Sequence, residues 1–127
     1  MMIDTHSHEY SHEHWMQRAL ELAKLAETKG EVPVGALVVR ANVVVGEGYN
    51  QVITLNDPTA HEEILALRDA ATKLGNYRLS DSTLYVTIEP CNMCAGAIVH
   101  ARINQVVFGA SEPKAGVVHS QGRFFEQ

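Results

Sequence analysis

The feature that most constrains this chain is Pro90-Cys91-Asn92-Met93-Cys94, which holds both of its cysteines, three residues apart. Cys-x-x-Cys by itself serves as half a metal site, a redox pair or a disulfide. Its flanks limit what it can fold into. Thr83-Leu84-Tyr85-Val86-Thr87-Ile88 is β-branched and aromatic and reads as a strand. Ala95-Gly96-Ala97-Ile98-Val99-His100 reads as a helix, with Pro90 suited to its first turn. Both sulfurs then sit at a helix N-terminus, where the macrodipole and free N–H groups favour thiolate, the form that binds metal.

At 127 residues the chain is read as one domain, 1–127, too short for a barrel of eight β/α units. A hydrophobic share of 46% and a charged share of 20% are those of a globular protein. No apolar run approaches the roughly 18 residues a membrane helix needs, so no membrane partner is expected. Met1 to His14 is polar and His-rich without a signal-peptide core. A cytoplasmic setting is therefore expected, in which two cysteines favour a metal or reactive site over a structural disulfide. The net charge of −5 argues against a broad basic face for nucleic acid. It leaves room for a local patch built from Arg68, Lys73, Arg78, Arg102, Lys114 or Arg123.

Residues 1–10 read as a flexible tail. Ser11 is the expected N-cap of a helix from His12 to Lys29 ended by Gly30. Trp15, Met16, Ala19, Leu20, Ala23 and Ala26 supply its buried face. Pro33 to Arg40 and Asn42 to Tyr49 form a hairpin turning at Ala41-Asn42. Asn50 follows, a loop asparagine whose default role is turn-making. Asp57-Pro58-Thr59-Ala60-His61-Glu62 opens a helix through a capping box, Thr59 at N-cap and Glu62 three residues on; Gly75 ends it. Gln105 to Phe108 is a last strand, and 117–127 a short C-terminal remnant. The order α-β-β-α-β-α-β gives an α/β fold, a three-layer α/β/α sandwich with one mixed sheet.

His61, Cys91 and Cys94 can close one metal site if two helix N-termini meet at a sheet edge. Three nitrogen and sulfur ligands leave a fourth tetrahedral position for water, the arrangement of a catalytic zinc. A carboxylate must then move protons. Glu62 and Glu63 are about 100° apart around a helix, so one is expected to face the metal; if Glu62 closes the capping box, Glu63 remains. A lone His at a helix start, a lone Cys-x-x-Cys or a Glu-Glu pair each has an ordinary structural reading. The joint pattern His-x-Glu, strand, Pro-Cys-x-x-Cys is that of zinc nucleobase deaminases.

His61-Glu62-Glu63 with Pro90 to Cys94 resembles the cytidine-deaminase-like zinc fold. Glu31-Val32-Pro33-Val34-Gly35-Ala36, Asp57 to His61, Asn76-Tyr77-Arg78-Leu79, Leu84 to Cys91 and Val106 to Ala110 resemble the tRNA-specific adenosine deaminase family. That resemblance implies one zinc held by His61, Cys91 and Cys94, with Glu63 as proton shuttle. It also implies Asn50 bonding the base, Ala36, Pro90 and Ile53-Thr54-Leu55 near the substrate pocket, and a homodimer acting on a tRNA anticodon loop. Deaminases of free bases or nucleosides, and inactive zinc-binding partner subunits, share the core pattern. Glu62 stands where the family has a small residue, and Glu112 where it has a shorter acid.

Overall fold

A computed structural model of the protein describes residues 10–109. Residues 1–9 of the expected tail, Glu112, Lys114, Arg123 and the C-terminal remnant lie outside the described residues. Helix α1 (His12–Thr28) is followed by β1 (Gly35–Arg40), β2 (Val43–Tyr49), α2 (Glu62–Leu74), β3 (Ser82–Val86), α3 (Asn92–His100) and β4 (Gln105–Phe108). This is the order read from the sequence.

The four strands form one sheet in the order β2-β1-β3-β4. β1 is antiparallel to β2 and to β3, while β3 and β4 are parallel, so the sheet is mixed. Central β1 is an unbroken apolar run because both its faces are covered. Leu37, Val39 and Tyr85 pack with Trp15, Ala19 and Leu22 of α1. On the other face Ala36, Val38, Leu84 and Val86 pack with Ala66, Leu67 and Ala70 of α2 and Ile98 of α3. The three layers follow from alternation along β1 and β3.

Ser11 caps α1, its hydroxyl accepting the His14 N–H at 3.2 Å. One α1 expectation is corrected: Leu20 is exposed, and Leu22 is the leucine in the core. Both lie near the edge of the apolar stripe, where spacing alone cannot choose between them. The hairpin turns at Ala41 and Asn42 with φ of 52° and 61°, the left-handed pair that matches strand twist.

Close helix–sheet contact depends on glycines in the strands. A Cβ on Gly48 would lie 2.6 Å from the Ala66 nitrogen of α2, and one on Gly35 would lie 2.7 Å from the Ala23 nitrogen of α1. Their bare backbones let both helices settle on the sheet. The first turn of α2 thereby reaches the end of the sheet where β3 delivers α3, the helix that begins with both cysteines.

Candidate metal centre and its cleft

Two helix starts meet at the carboxyl end of β3. His61 is the N-cap of α2 (φ −73°, ψ 156°) and Cys91 the N-cap of α3 (φ −80°, ψ 178°). Neither residue has a side-chain capping hydrogen bond. Cys94 lies in the first turn of α3 and is fully buried. His61 Nδ1 is 3.7 Å from Cys91 Sγ and 3.5 Å from Cys94 Sγ. Zinc bonds of about 2.1 Å to nitrogen and 2.3 Å to sulfur give a tetrahedron edge of about 3.6 Å. The three donor atoms all lie within 4.8 Å of one another, and both cysteines are free thiols. The donor set fits zinc and leaves one tetrahedral position over.

Two expectations about this region are corrected. Thr59 is not the N-cap of α2: Asp57 Oδ1 accepts the Thr59 N–H at 2.9 Å and its hydroxyl at 2.8 Å, and the helix starts two residues later. The Asp57 carboxyl outcompetes the capping box by satisfying the turn first. Glu62 therefore closes no box. It is 4% exposed and Glu63 is 2% exposed; both line the cleft, and their carboxyls hydrogen-bond each other. Helical spacing separates their Cα–Cβ directions, but both side chains lie under the first turn, where the sheet edge encloses them together.

Pro90 precedes the Cys91 cap instead of occupying the first helical turn, and it is fully buried.

Electrostatics follow from this crowding. Burial, then the neighbouring Glu63 charge, raises the Glu62 carboxyl to about 9. Burial is also the main reason the Glu63 carboxyl sits above its ordinary value. Cys91 is lowered to about 5, chiefly by the hydrogen bond from Cys94. Cys94 is raised by that same bond and by burial. The two thiols are thus pushed in opposite directions, and metal binding favours the thiolate form of both. Glu63 Oε1 is buried without a hydrogen-bond partner among the described residues. A carboxylate oxygen in that condition is a place for a ligand or water to be received.

The cleft above these groups measures about 170 Å³ and is lined by Val32, Val34, Asn50, His61, Glu62, Glu63, Ile88, Glu89 and Cys91. Asn50 makes the turn and also borders the cleft; its Oδ1 accepts the Val52 N–H at 3.1 Å. Ala36 does not line the cleft; it is fully buried in the apolar core between β1 and α2. Ile53 and Leu55 are exposed beside this region rather than packed into it. A larger cavity, about 560 Å³ around His12, Tyr85 and Asn42, opens at the opposite end of the sheet, away from the His61, Cys91 and Cys94 group.

Residue reading missed Glu31, Val32, Val34 and Glu89. Their signal was present only as membership of the motif-flanking stretches. Of the candidate basic patch, Arg68 lies 3.8 Å from Asp57 and Lys73 2.9 Å from Asp69, so both already have acidic neighbours.

The fold and donor set agree with what similar proteins are. A family model described as MafB19-like deaminase matches residues 10–124. The tRNA-specific adenosine deaminase of Haemophilus influenzae is 56% identical over 115 residues, covering 90% of this chain and 66% of that protein. A structure from a study of A-to-I editing by tRNA:A34 deaminases at the wobble position of transfer RNA has a TM-score of 0.88 at 47% identity, covering 91% of this chain and 83% of that one. Guanine deaminase from Bacillus subtilis has a TM-score of 0.80 at 40% identity, covering 92% and 75%. The chain spans about two thirds of the length of the first curated relatives it matches. With a family model matched over most of the chain, a curated relative at 56% identity and a solved structure at a TM-score of 0.88, the chain belongs to the tRNA-specific adenosine deaminase family of the cytidine-deaminase-like fold.

Proposed function

We propose that this chain is a zinc-dependent hydrolase that converts adenosine to inosine at the wobble position of a tRNA anticodon loop. One observation carries the reading: the cleft bordered by Asn50 and by Glu63, whose Oε1 is unpartnered among the described residues, is also lined by His61 and Cys91, which form one donor group with Cys94. His61, Cys91 and Cys94 would hold zinc, which when bound supplies a Lewis acid that makes water reactive near neutral pH.

The chain's own groups do the rest. Glu63 takes one proton from the attacking water and places it on purine N1, then takes the second from the new C6 hydroxyl and delivers it to the departing amine. Adenosine and water thus become inosine and ammonia. Asn50 has its oxygen engaged by Val52, so the group it offers a base is the Nδ2 donor, complementary to a purine ring acceptor. Val32, Val34 and Ile88 give apolar surface for the ring faces. A single-stranded loop presents an unpaired base, so no duplex must be opened. Exposed Met93 and Val99 on α3 offer apolar surface for a second copy, consistent with a homodimer.

The test is deamination by zinc-loaded protein of an anticodon stem-loop with adenosine at the wobble position, with free adenine, adenosine, guanine, cytosine and cytidine in parallel. Inosine in the stem-loop alone is expected. Turnover of a free base alone would replace this reading with nucleobase metabolism. That second reading draws on the likeness to guanine deaminase and on the net charge of −5.

A further inference from the structure

Glu31 is a buried carboxylate outside the metal centre, 4% exposed in the connection from α1 to β1. It accepts the Ile53 N–H at 3.2 Å, the Thr54 N–H at 2.7 Å and the Thr54 hydroxyl at 2.7 Å. All three donors belong to the segment between Asn50 and His61, which contains neither helix nor strand. That segment begins and ends at cleft-lining residues, and Val32 and Val34, beside Glu31, line the cleft too. One carboxylate therefore fastens together two stretches of chain that build the same cleft. Among the described residues a backbone bond also ties them, from the Asn50 N–H to the Val34 carbonyl at 3.2 Å.

The chemistry of this contact is specific. Burial opposes the charge on Glu31, yet hydrogen bonds from the Thr54 hydroxyl and the Thr54 and Ile53 amides hold its carboxyl below the ordinary value. The fastened segment presents Ile53 and Leu55 at 67% and 50% exposure, next to Val32 at 60%. Three apolar side chains are thus held outward at the rim of a polar cleft. A segment serving only to connect β2 to α2 has no need of an immobilised backbone at Ile53 and Thr54. The core does not supply the fastening either, since neither residue packs into it.

We infer that Glu31 is a positioning residue for substrate, its carboxylate holding Ile53, Thr54 and Leu55 where they meet the nucleotides flanking the reacting base. The inference rests on the proposed tRNA reading. It assigns Glu31 no contact with the reacting atoms and predicts an effect on binding rather than on chemistry.

The test compares wild type, Glu31→Gln and Thr54→Val as zinc-loaded full chains. Glutamine keeps the shape but turns an NH2 donor toward N–H donors. Valine removes only the hydroxyl of an exposed residue. Loss of charge-assisted bonds is expected to speed amide exchange across 51–56, and to raise KM for the stem-loop, by about tenfold in Glu31→Gln. The kcat is expected to stay within about twofold, with zinc stoichiometry unchanged, since the ligands and Glu63 are untouched. Thr54→Val should move both readouts the same way by roughly threefold, which keeps the test open if Glu31→Gln proves too unstable to purify. Unchanged KM despite faster exchange would overturn the inference. A fall in kcat or in bound zinc at constant KM would do so as well, by moving Glu31's influence to the metal centre. Failure of the tRNA reading would appear in the wild type, as no stem-loop turnover, whereas failure of the Glu31 inference alone would appear only in the variants.

Discussion

At the scale of single residues, the two glutamates after His61 illustrate how local grammar and enclosure compete. A capping box would have sent Glu62 back to the backbone and left Glu63 alone at the site. Asp57 takes the turn instead, and both carboxyls are enclosed, hydrogen-bonded to each other. Glu63→Gln is expected to reduce deamination by about 10²–10⁴-fold, the usual worth of a general acid–base, with zinc content unchanged by metal analysis. Retained turnover would remove Glu63 from its role. Glu62→Ala, on the capping view a minor stability change, is now expected to lower kcat as well, because Glu63 loses its buried partner. A kcat equal to wild type in the same assay would restore the capping view.

At the scale of elements, the site depends on how closely α2 lies on β2. Gly48 has no side chain where a Cβ would meet the Ala66 nitrogen at 2.6 Å. Gly48→Ala is therefore expected to cost about 1–3 kcal/mol in denaturant unfolding, the usual range for overpacking, and to reduce activity by displacing the first turn that carries His61 and Glu63. An unchanged midpoint would mean the helix can shift freely. The β2–α2 connection has its own pH dependence. Glu31 and Asp57 are held below their ordinary values of 4.5 and 3.8. For a carboxyl with a depressed folded value, the stabilisation is present above the ordinary value and is lost as pH falls through the folded one. Protection factors for residues 51–60 should consequently fall below about pH 4.5, and less steeply in Glu31→Gln. A flat profile in the wild type would show that these carboxyls do not order the segment.

At the scale of the whole molecule, metal and fold are expected to be coupled, because the three candidate ligands come from the starts of two helices that the sheet brings together. Chelation should lower the thermal midpoint, since a ligand held at 1,000 times its Kd contributes about 4 kcal/mol. Cys94→Ser should abolish that chelator-sensitive increment and lose metal together. A serine variant with stoichiometric zinc and wild-type stability would count against the ligand set.

Much of this was legible in the chain itself. Element order and type came from periodicity, caps and turn residues, because these are set by neighbours a few positions away: Ser11, Ala41-Asn42 and Gly75 all act where they were expected. The grouping of His61, Cys91 and Cys94 was legible because metal chemistry restricts residue types and spacing so narrowly. What only the tertiary structure decided concerns residues whose partners lie far along the chain. Ala36 lies in the core, not at the cleft, because sheet register turns its face toward α2. Glu62 joins Glu63 because the sheet edge encloses them both. Glu31 meets Thr54 across 23 positions, a contact that no local pattern encodes. Hydrogen bonds over that distance depend on how layers pack, and packing is a property of the whole fold.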